Sequence, residues 1–69
     1  MRIFDVVLER DHDTGIYVGY VPGWAGAHSQ GADPEEVQHN LQEVIAMLLE
    51  DGEPTLEGEF VGTQLVTID

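Results

Sequence analysis

One segment of this chain reads as a helix, and a chain with a single helix must place its remaining apolar residues in a sheet. Asp33 is a good N-cap, because its carboxylate can accept from an unpaired first-turn N–H. Pro34 suits the first helical position, where a missing N–H costs nothing. Glu35 and Glu36 favour the positive end of the helix dipole, and Glu36 sits at the capping-box position. Val37, Leu41, Val44, Ile45 and Leu48 then recur at spacings of three and four, which makes one apolar stripe. Gln38, Gln42 and Glu43 lie largely off that stripe, and His39 is expected to face away from it. Gly52 is placed to stop the helix in a left-handed conformation. A helix over Pro34–Glu50 would be about 25 Å long.

The flanking segments carry strand patterns. In Arg2–Arg10, Phe4, Val6 and Leu8 recur at period two, with Ile3, Asp5, Val7 and Glu9 on the opposite face. Ile16–Val21 is rich in β-branched and aromatic residues. Between them, Asp11-His12-Asp13-Thr14-Gly15 has the composition of a tight turn, so the two strands should form an antiparallel hairpin. Pro22-Gly23 then breaks the ladder. Ala27–Gln30, bracketed by Gly26 and Gly31, reads equally as a brief strand or as loop. Phe60–Ile68, with Leu65, Val66 and Ile68, reads as a last strand, and its crossover helix would let it pair parallel to an earlier one. These elements predict one domain over residues 1–69, a two-layer α+β fold with one helix on a small mixed sheet.

Charge narrows the function more than length does. Fourteen Asp and Glu stand against Arg2 and Arg10, for a formal net charge of -12. Affinity for nucleic acid comes largely from basic groups that neutralise phosphates, so direct binding to DNA or RNA is not expected, nor is binding to anionic membranes. The same charge favours a basic protein partner reached by electrostatic steering. A chain of 69 residues buries only about 60% of its unfolded surface, so self-association into a dimer or higher oligomer is also expected. Met1–Arg10 lacks the apolar core of a signal peptide, and no run is long enough to cross a membrane. A cytoplasmic location follows as the expectation.

No residue set asks for catalysis, a metal or a cofactor. The chain has no cysteine. His12, His28 and His39 fit no common zinc spacing. A two-metal nuclease built on Asp5 with Glu43 or Glu50 is the enzymatic alternative, but Asp5 alternates with Phe4 and Val6, away from the helix, and only two basic residues would be left to hold the substrate. His28 and Ser29 are adjacent in an extended segment, so they point to opposite faces and cannot act as base and nucleophile. Gly23, Gly26 and Gly31 match no phosphate loop and read as backbone bends. Trp24, the one tryptophan, is either tucked over a core edge or offered to a partner.

The run Tyr17–Gly31 followed by the capped helix resembles the HicB antitoxin family. Val21-Pro22, Gly26, Ser29-Gln30-Gly31, Glu36, Asn40 and Glu43 stand at that family's positions, over about residues 3–50. Ala25 replaces the usual second proline and Ala27 a common cysteine. The family's C-terminal DNA-binding module has no counterpart before Asp69, so autoregulation through direct operator binding is not expected. The resemblance implies a partial RNase H-like β-β-β-α-β fold with Ala27–Gln30 as the third strand. It further implies a non-catalytic protein that neutralises a small basic HicA-like mRNA interferase. An adaptor of the same fold without a toxin is the rival reading. The toxin-facing candidates are Asp11, Asp13, Tyr20 and Trp24, which mix acidic and aromatic groups in the hairpin turn and the post-strand loop. Pro22, Gly26, Gly31, Asp33 and Pro34 are the expected structural positions.

Overall fold

The computed structural model describes residues 2–69. Its regular elements are β1 (Val7–Arg10), β2 (Tyr17–Tyr20), β3 (His28–Gly31) and α1 (Pro34–Leu49). The strands form an antiparallel meander in the order β1-β2-β3, with Leu8 opposite Gly19 and Gly19 opposite Ser29. The helix lies across β2 and β3, giving the two-layer α+β arrangement.

The turn before β2 closes through its own side chains. The Thr14 hydroxyl donates to Asp11 Oδ2 at 2.7 Å, and the Ile16 N–H donates to Thr14 Oγ1 at 3.2 Å. Gly15 takes φ +76°, the left-handed value that lets the chain reverse. After β2, Pro22 and Gly23 occupy the two central positions of a second turn, closed by the Trp24 N–H donating to Val21 O at 3.1 Å. Gly23 has φ +82°, as a type II turn requires of its third residue. Gly26 needs no such freedom: a methyl there would meet only Leu48, at an ordinary 3.6 Å. The bend expected at Gly26 therefore does not depend on glycine.

The helix begins as its sequence predicts. Asp33 Oδ1 accepts from the Glu36 N–H at 2.8 Å, and Glu36 Oε1 accepts from the Ala32 N–H at 3.1 Å. The reciprocal pair satisfies two donors at the helix start. Val37 and Leu41 are fully buried, and Val44, Ile45 and Leu48 are half-buried along the same stripe. His39 is exposed and faces Glu43 one turn on, at 3.4 Å. The helix ends at Leu49, and Gly52 follows with φ +114°.

Two expectations are corrected. Phe60–Ile68 is not a strand and pairs with nothing among the described residues: Leu65 is 100% exposed, and Val61, Val66 and Ile68 are nearly so. Consequently the sheet is purely antiparallel, and no mixed sheet forms. The physical reason is that β propensity measures fit to a pleated, half-buried surface, and this segment meets no such surface within its own chain. The outer ends of β1 are shorter than the Arg2–Arg10 pattern because β2 supplies partners only as far as Tyr20.

Candidate functional site

The apolar side of the sheet is fixed by Gly19. A methyl placed there would come 2.6 Å from Val37 Cγ1 and 3.3 Å from the side chains of Leu8 and Val6. Val6, Leu8 and Gly19 thus face the helix, and the period-two reading of the first strand holds. Gly31 plays the same part at the end of β3, where a methyl would come 2.9 Å from the Glu36 side chain. Backbone approaches this close are available only to glycine.

The opposite, helix-free face of the sheet is open. Val18, Tyr20, His28 and Gln30 line a shallow depression of about 340 Å³, with Tyr20 beside His28 across the ladder. Asn40 reaches from the helix to β3 and donates to Gln30 O at 3.0 Å, which holds that strand to the helix layer. In the sequence Asn40 is only a position of the HicB pattern, and its tie to β3 is not written in the spacing.

The four candidate contact residues do not converge. Asp11 and Asp13 sit in the turn at one end of the hairpin, while Tyr20 and Trp24 lie at and beyond the other end of β2. Trp24 is half-buried, its ring centroid 5.4 Å from that of Phe4 at an interplanar angle of 48°. Tucking over the core edge is therefore its first role, and only part of its surface is free. Tyr20 remains exposed on the open sheet face.

Asp11 is a turn-former as well as a surface charge. The Thr14 hydroxyl holds its carboxyl below the ordinary aspartate range, opposed by desolvation and helped by the backbone N–H groups of Asp13 and Thr14. A carboxylate with a depressed folded value stabilises the turn above its unfolded pKa, and that contribution is lost as pH falls through the folded value. Thr14→Val should raise the Asp11 midpoint toward the ordinary value in a carboxyl-carbon NMR titration. An unmoved midpoint would mean that the hydroxyl is not the cause.

Electrostatically the surface is nearly uniform. All fourteen carboxylates are exposed. Of the two arginines, Arg2 pairs with Glu53 and lies 5.2 Å over the Phe4 ring, so its charge is largely offset. Among the described residues, no three His, Asp or Glu side chains come together as a metal site. No described helix is long and apolar enough to cross a membrane.

Fold and surface define a small acidic α+β protein with one helix over a three-stranded antiparallel sheet. The chain belongs to the UPF0150 family. It is 43% identical over 65 residues to a UPF0150 protein of Synechocystis, covering 94% of this chain and 93% of that one. A UPF0150 protein of Thermotoga maritima is 36% identical over 69 residues, with 99% and 92% covered. One from Archaeoglobus fulgidus is 37% identical over 65 residues, with 94% and 93% covered. No family model matches the chain. No solved structure matches it either.

Proposed function

We propose that this protein is a HicB-like antitoxin of partial RNase H-like descent, which binds and neutralises a small basic HicA-like mRNA interferase in the cytoplasm without catalysing a reaction itself. The observation that carries this reading is the exposed carboxylate surface, with its net charge of -12 and one of its two arginines already paired. Such a surface competes with RNA phosphates for a toxin's cationic groups and speeds encounter by steering. The three-strand, one-helix order agrees with the β-β-β-α part of the fold that the HicB resemblance implies. Asp13 and Tyr20 offer the free charge and the free aromatic surface among the candidates; Asp11 and Trp24 contribute what their structural roles leave exposed.

The test is co-expression with a small basic HicA-like mRNA interferase, followed by calorimetric titration of the purified pair. A stoichiometric complex is expected, with RNA cleavage by the partner suppressed. Its Kd should rise at least roughly tenfold between low salt and half-molar NaCl, because screening removes most of the attraction between exposed charges. A partner that cleaves RNA undiminished in the presence of excess protein would overturn the reading.

A further inference from the structure

The surface of this chain is too large for its mass. A folded monomer of 7.6 kDa should expose about 4,300 Å², whereas this one exposes 5777 Å². The radius of gyration, 13.6 Å, likewise exceeds the roughly 11 Å expected for a compact chain of this length. The surplus of about 1,500 Å² lies well above the roughly 800 Å² that each partner buries in a standard stable interface.

Two features account for it. The first is the segment Phe60–Ile68, which carries no charged residue and exposes five large apolar side chains: Phe60, Val61, Leu65, Val66 and Ile68. The second is a groove of about 750 Å³ that the segment itself does not line. Phe4, Val6 and Leu8 form one wall and Leu41, Ile45 and Leu49 the other. The helix covers β2 and β3 but leaves the inner face of β1 open, so Val6 and Leu8 are 41% and 47% exposed. Among the described residues β1 pairs only with β2, which leaves its other edge free.

We propose that Phe60–Ile68 of one copy adds as a strand to the β1 edge of a second copy and fills its groove, each copy giving and receiving. Nine residues in extended form span about 30 Å, enough to run the length of β1 and present alternate side chains to the groove. The exchange closes with two-fold symmetry, so it ends at a dimer and leaves no open strand to propagate. It supplies the pleated partner that the segment lacks in its own chain. A second copy is favoured over a basic partner because the segment carries no charge and the groove is mostly apolar, its Arg2 and Glu35 offsetting each other, so nothing there selects a cationic protein.

Each copy carries -12, so the two repel. Screening should therefore tighten this dimer as salt rises, the reverse of its effect on a complex with a basic partner. The two proposals thus fail independently.

The test uses the full chain in sedimentation equilibrium, together with isotope-filtered NMR on a mixture of labelled and unlabelled protein. A dimer with inter-chain contacts between the Val61 and Leu65 methyls, which share one face of an extended strand, and those of Leu8, Ile45 and Leu49 is expected. Leu65→Asp should raise the dimer dissociation constant at least roughly 100-fold, since withdrawing one leucine from apolar burial is worth about tenfold and the symmetric dimer loses two. Leu65 touches nothing in its own chain, so the helix signal in circular dichroism should survive the substitution. A monomer at micromolar concentration overturns the proposal, whether the segment stays free or folds back on its own β1. A dimer in which Leu65→Asp changes nothing overturns it as well.

Discussion

Gly19→Val is expected to cost about 3 kcal/mol, a third or more of what holds a domain of this size folded. Two effects compete at this position. Valine is a better strand former than glycine, a gain of at most about 1 kcal/mol on host-protein scales. Against it stands the contact with Val37, which is fully buried and whose Cγ1 would lie 2.6 Å from the new Cβ before the two further methyls are counted. Overpacking of a filled core typically costs about 1–3 kcal/mol and sometimes more. Val37 is fully buried and cannot withdraw, whereas Leu8 and Val6, at 3.3 Å, border the open groove and can shift aside, so the Val37 contact sets the cost.

A domain of this size has only about 3–10 kcal/mol to lose. The melting temperature should fall by roughly 10–25 °C, given about 4–8 °C per kcal/mol for small domains. Gly19→Ala should show an intermediate loss. Adding Val37→Ala to Gly19→Ala should recover part of it, because the pair shares one contact and will not behave additively. A Gly19→Val protein that melts as high as the parent would show that the helix does not sit against β2 at this point.

The elements that were legible in the sequence are those whose determinants are local. The helix start is written in Asp33, Pro34 and Glu36: Asp33 caps the Glu36 N–H and Pro34 takes the first helical position. The Glu36 carboxylate accepts from the Ala32 N–H, one residue before the N-cap N–H that a capping box uses. The hairpin turn is equally local, since Asp11, Thr14 and Gly15 close it within five residues. The third strand was open on pattern alone, because His28-Ser29-Gln30-Gly31 has no apolar alternation. It exists because Gly19 and Gly31 let the backbone come close and Asn40 holds Gln30 O, none of which is visible in a window of neighbouring residues. Phe60–Ile68 failed in the opposite sense. Its β-branched and aromatic composition is that of a strand, but pairing depends on an edge that composition cannot locate. The candidate contact residues shared this weakness: nearness in sequence class did not bring Asp11 and Tyr20 to one patch.

Gly23→Ala should have the second-largest effect, and it reads out a different link of the fold. Gly23 combines positive φ with a close backbone neighbour. Its φ of +82° costs an alanine about 1–2 kcal/mol. A methyl there would also come 2.5 Å from Gly58 N, and a backbone atom cannot swing aside as a side chain can. The Glu57 N–H donates to Gly23 O at 2.9 Å in the same crossing. Alanine should therefore release the segment from Glu53 to Gly58 while the hairpin and helix persist. The Glu57 amide should lose its protection in hydrogen exchange, whereas amides of Val37 to Leu48 should keep most of theirs. Asparagine tolerates positive φ better than alanine but brings the same Cβ. If strain dominates, Gly23→Asn recovers much of the loss; if the Gly58 contact dominates, the two variants behave alike. The second outcome is expected, because the contact is far inside van der Waals distance and strain alone is modest. Since residues 60–68 leave the body of the protein from this crossing, its release removes the constraint that aims them. Any partner strand they form would then have to be ordered at the moment of binding, and its affinity would fall accordingly.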